Sequence, residues 1–228
     1  MTMPEAAREL VGPPIDRGLL ADIPWPSLLH RYRSGIELFD PRVIQMTDEQ
    51  LDTAFLSDAG VGRWPVRVLL GHLADGDLGS VHRMRRIAAE DNPVLSAWDE
   101  DAFVDSGIYG STEASSAWPK PCFPVGAYAA VIYTLREWAS AWLGGLDESL
   151  LARRGLHPQH GEVSLRGIVE FDTWHLEHHV RFLNAKAFKL LGPAPEPERC
   201  DDVPSGGCGP GCGCAPGASG DARGGADG

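Results

Sequence analysis

The chain has 228 residues, enough for one sizeable core, and its 43% hydrophobic and 23% charged content is that of an ordinary globular domain. With 20 basic against 32 acidic residues the formal net charge is -12, which argues against a nucleic-acid or anionic-membrane surface, since both favour a basic footprint. No apolar run approaches the length of a membrane span, and Met1 to Pro24 lacks a basic start followed by an apolar stretch, so the cytoplasm is the default compartment.

Residues 1–26 are proline-rich and aperiodic and read as an irregular lead-in. Leu28, Leu29, Tyr32, Ile36 and Phe39 recur at helical spacing, with Ser27 as an N-cap and Pro41 as a stop, which predicts a short first helix. Thr47-Asp48-Glu49-Gln50 has the form of a capping box and should open a turn or two. Pro65, at a first helical position, starts a long second helix reaching about Glu90 on the stripe Leu69, Leu70, Leu73, Met84 and Ile87. His72 lies on or beside that stripe, where a hydrogen-bonded core histidine is the plainer reading. Gly71, Gly76 and Gly79 are costly inside a helix unless another element or a ligand approaches closely.

Residues 91–124 form a connection long enough to suggest a covering element, with Trp98 to Phe103 as a short lid helix. Tyr128, Ile132, Leu135, Ala139 and Trp142 then mark a bundle-type helix over Val125 to Leu143, ended by Gly144-Gly145. Ser164 is placed to cap a last helix running to about Leu190. From Gly192 onward Gly, Pro, Ala, Asp and Ser dominate, which predicts disorder over 192–228. Four of the five cysteines fall in that tail, without the paired Cys-x-x-Cys arms of a structural zinc site. An odd count placed this way does not describe a disulfide-stapled domain.

The last helix holds three of the eight histidines, in His175-Leu-Glu-His178-His179. Residues three or four apart share a helix face, so His175 and His179 project side by side, and the pair His175 and His178 is also open. Asp172, three residues earlier, lies on the same side. Polar groups in mid-stripe require a pairing agent, and for clustered histidines a divalent metal is the commonest. A solvated histidine-rich surface is the alternative.

Trp64-Pro-Val-Arg-Val-Leu-Leu-Gly-His72-Leu-Ala-Asp75 resembles the second-helix motif of the DinB/YfiT-like superfamily, and His175-Leu-Glu-His178-His179 its fourth-helix motif. Trp98-Asp-Glu-Asp-Ala-Phe103 and His157-Pro-Gln-His-Gly-Glu-Val-Ser-Leu165 match the YfiT-like branch, so the likeness spans roughly Ser27 to Leu190. The resemblance implies an all-α four-helix bundle over 27–191 and one divalent metal, zinc or nickel, held by His72, His175 and His179. It also implies an enzyme that transfers a low-molecular-weight thiol such as bacillithiol or mycothiol to an electrophile, or a hydrolase, with a non-catalytic metal-binding or sensor bundle as the third option. Asp75, Asp172 and His178 are candidates for orienting ligands or for the substrate side; no catalytic residue is singled out. The expected partner is a small-molecule substrate, with no nucleic acid, no membrane and a homodimer allowed. One departure stands out. The YfiT-like branch commonly has a second histidine just before its helix-two ligand, and this chain has Gly71 there.

Overall fold

Prolines set three of the four bundle helices in the computed structural model, which describes residues 11–110 and 124–195. The first, α1 (Trp25–Ser34), starts after Pro24, whose extended backbone ends the preceding segment. Its start lies upstream of the one read from Ser27, which sits inside the first turn; Pro26, in that same turn, has no N–H left to satisfy there. The second, α2 (Val66–Ala89), follows Pro65, and α3 (Val125–Leu143) follows Pro124. The last, α4 (Leu165–Leu191), is capped by Ser164, whose Oγ accepts from the Gly167 N–H, and stops at Gly192 with φ at 75°.

The bundle is all-α in character: α2 packs on α3 and α4, and α1 packs on the same two helices. Its core runs in layers along the antiparallel α2–α4 pair. Leu28, Met84, Ile87, Leu143, Leu165 and Val169 fill one end. Leu69, Leu70, Val43, Leu183 and Ala187 fill the other, and Leu73, Ile132, Leu176 and Val180 lie between. Thr47 and Gln50 form the expected capping box of a single turn, Asp48–Leu51.

Two segments carry structure that the sequence did not announce. The irregular lead-in is anchored to the bundle over its described part. Leu20, on the turn Gly18–Ala21, is fully buried. The outer face of α4 holds the rest by donating to main-chain carbonyls: Arg181 to Val11 and Gly12, Trp174 to Ile15, and Arg166 to Ala21 and Ile23. These bonds are long-range, and no local periodicity announces them. The connection before α4 is an antiparallel hairpin, β1 (Arg154–His157) and β2 (Gly161–Ser164), with Arg154 opposite Ser164 and His157 opposite Gly161. Its strands have four residues each, too few to show alternation, and Gly161 with φ at 71° closes the turn.

The lid helix forms over Glu100–Ser106, capped by the Asp99 side chain. Cys122 and the cysteines from Cys200 onward, with most of the predicted tail, lie outside the described residues. Among the described residues no helix is long and apolar enough to cross a membrane.

Candidate metal centre

His72 is delivered from the second turn of α2, and His175 and His179 from consecutive turns of α4. The antiparallel packing of the two helices turns all three rings toward one point. His72 Nε2 lies 3.0 Å from His175 Nε2. One ring nitrogen from each of His72, His175 and His179 falls within 4.8 Å of the others, and His72 is buried while the other two are partly open. Gly76 makes room for this approach, since a Cβ there would sit 3.1 Å from His175 Cε1.

Aromatic side chains surround the imidazoles. Trp64 lies 5.0 Å from the His72 ring and stacks on His179 at 6.2 Å. Trp98, just before the lid helix, stacks on His72 at 5.5 Å, and Phe171 stacks on His175 at 5.8 Å. These walls remove water from the rings. Burial accordingly pushes His72 down to about 4, and burial with repulsion from His72 and His178 pushes His179 down to about 3. Burial and the neighbouring histidines hold His175 well below its ordinary value. All three are therefore neutral near pH 7, and a cation that accepts nitrogen donors would replace the His72–His175 hydrogen bond with ligation of all three rings. His72 Nδ1 is buried with no hydrogen-bond partner among the described residues. A divalent metal fits this donor set.

A pH dependence follows. A histidine with a folded pKa near 4 and an unfolded value near 6.5 binds its proton first in the unfolded state. The folded state thus loses its advantage as pH falls from the unfolded toward the folded value. His72 alone should cost the metal-free protein about 3 kcal/mol across that window. Urea unfolding of the chelated protein at pH 7.5, 6 and 5 is expected to show steadily lower stability, and a flat profile would contradict the buried neutral centre.

His178 stands outside the cluster. It stacks on Trp174 at 5.0 Å, leans on Phe182 at 5.3 Å and meets the site at the edge of His179. The two carboxylates read as candidate histidine orienters have other partners. Asp75 accepts the Tyr109 hydroxyl at 2.8 Å. Asp172 is fully buried, its carboxylate 3.5 Å from Arg136, and burial beside Asp77 raises its pKa well above the usual carboxylate range. Sequence reasoning passed over Asp77, Tyr109 and Arg136. Arg136 gave one signal: it is a charged residue between Ile132 and Ala139 on an otherwise apolar stripe.

The sequence profile of the DinB superfamily matches residues 31–183. A protein of Oceanobacillus iheyensis, named as a candidate metal-dependent hydrolase, is 27% identical over 143 residues, covering 63% of this chain and 74% of that protein. YfiT of Bacillus subtilis is 30% identical over 136 residues, covering 59% of this chain and 68% of YfiT. The solved structure of YfiT, described as a probable metal-dependent hydrolase with an unusual four-helix bundle topology, superposes with a TM-score of 0.60 at 23% identity. It covers 72% of this chain and 86% of that one, and shows the shared fold. The matched span contains all three histidines: the chain belongs to the DinB superfamily.

Proposed function

We propose that this chain is a divalent-metal-dependent enzyme that transfers a low-molecular-weight thiol to a small electrophilic substrate at the His72, His175 and His179 centre. The observation that carries the reading is the donor set: three imidazoles held neutral by burial, with no carboxylate in the cluster among the described residues. Zinc or nickel suits such nitrogen donors, and when bound supplies Lewis acidity with its double charge uncompensated, lowering the pKa of a coordinated thiol. The chain's own residues do the rest. His72, His175 and His179 fix the ion. Trp64, Trp98 and Phe171 exclude water from the rings, which strengthens the electrostatic attraction for an anionic sulfur. His175 and His179 are less enclosed than His72, which puts the approach for a substrate on their side of the centre. In the transfer the sulfur forms a bond to the electrophilic carbon, the leaving group departs with its electron pair, and the thiol proton passes to solvent.

Hydrolysis is the second reading, favoured by the names of the relatives and by Asp75, a carboxylate one turn beyond His72 on α2. A combined assay separates them. Metal is quantified in the purified protein, which is then offered a panel of thiols with monochlorobimane, and separately a panel of esters and amides. Metal-dependent conjugation that disappears on chelation is the expected result. Ester or amide cleavage without conjugation would replace transfer with hydrolysis, and bound metal with neither activity would favour a sensor. A small-molecule substrate and a cytoplasmic setting, where thiols stay reduced, fit this proposal.

A further inference from the structure

The guanidinium of Arg136 touches all four helices. It projects from α3 and is fully buried. Its Nε and Nη2 donate to the two Asp77 carboxylate oxygens of α2 at 2.8 and 2.7 Å. Its Nη1 donates to the Tyr32 carbonyl of α1 at 2.8 Å, and Nη2 also donates to the Asp172 carbonyl of α4 at 3.0 Å. The Tyr32 ring lies 4.6 Å from the guanidinium carbon. Gly35 permits the approach of α1: a Cβ there would lie 3.3 Å from Arg136 Nη1 and 2.6 Å from Leu176 Cδ2.

Asp77 follows His72 by five residues, and Asp172 precedes His175 by three. Both are on the antiparallel pair that brings the ligands together. A sliding or rotation of α2 against α4 that separated His72 from His175 would also break the Asp77–Arg136–Asp172 bridge. The apolar layers above and below resist such motion only weakly, because leucine-type contacts tolerate small shifts, whereas a bidentate carboxylate–guanidinium pair is fixed in direction.

We propose that Arg136 is a positioning residue for the three-histidine centre, setting the register of α2 against α4 through Asp77 and the Asp172 main chain. It rests on the metal reading given above, and touches neither metal nor substrate. Lysine cannot replace it, since an ammonium lacks the planar fork that reaches Asp77, Tyr32 and Asp172 together.

The test uses the full chain loaded with Co(II). Affinity is read by chelator competition, and ligand geometry by the visible d–d absorption. R136K is expected to weaken Co(II) binding by about 10- to 100-fold, the usual effect of removing support behind a ligand, and to change the absorption envelope. The double variant R136M/D77L replaces the buried pair with apolar volume and is expected to regain melting temperature, because such replacements are often neutral or stabilising. It should not regain affinity or the wild-type spectrum. D77N keeps the shape of Asp77 and serves the same comparison should R136K fail to fold. Folded variants with wild-type affinity and spectrum would overturn the proposal and leave the metal centre standing. A wild-type protein that takes up no Co(II) would overturn both.

Discussion

His175→Ala and His179→Ala are each expected to abolish stable metal binding while leaving the protein helical. Each change removes one of three protein donors, so the loss should exceed the about 10- to 100-fold that follows from disturbing a ligand's support. His72→Ala should do the same from the other helix. The fold should survive because the layer at the site is held by Leu73, Ile132, Leu176 and Val180, which do not depend on the metal, and because alanine favours helix. His178→Ala should behave differently. Its ring stacks on Trp174 and leans on Phe182, so its loss should cost about 0.5–1.5 kcal/mol of aromatic packing with metal content unchanged. Metal stoichiometry and circular dichroism on the four variants decide between them. Retention of metal by His179→Ala with loss by His178→Ala would reassign the pair to His175 and His178.

Gly71→Ala is expected to destabilise the protein, against the sign that helix propensity gives. On an open helix face alanine would gain about 1 kcal/mol over glycine. Here a Cβ would lie 2.2 Å from Tyr109 Cδ1 and within 3.0 Å of two further ring atoms. Tyr109 cannot retreat easily, being buried and tied to Asp75 through its hydroxyl. Overpacking of this kind costs about 1–3 kcal/mol, enough to outweigh the propensity gain. Urea titration of Gly71→Ala, Tyr109→Ala and the double variant forms a cycle, and the double should recover part of the loss. A Gly71→Ala protein more stable than wild type would show that Tyr109 does not occupy this groove. The same contact leaves no space at position 71 for any side chain, a second histidine included, while Tyr109 stays where it is.

What could be read from the sequence alone was whatever repeats at helical spacing or sits at a helix end. The stripes Leu69–Leu73–Met84–Ile87 and Ile132–Ala139 gave α2 and α3, and Ser164 gave the start of α4, because periodicity and capping are local properties. The four-residue step from His175 to His179 placed both on one face for the same reason. Periodicity could not bring His72 to them: the family resemblance implied it, and the packed structure shows it, since convergence across α2 and α4 depends on helix register rather than on either helix's own pattern. Long-range contacts also decided what local patterns leave open. The lead-in is held by Trp174, Arg166 and Arg181, which bond main-chain carbonyls that any residue could supply. Asp172 sits on the histidine side of its helix by spacing, but its buried carboxylate lies 3.5 Å from Arg136 of a neighbouring helix, a contact set by how the helices pack. Spacing shows which side of a helix a group occupies; what it meets there is set by the three helices that pack against it.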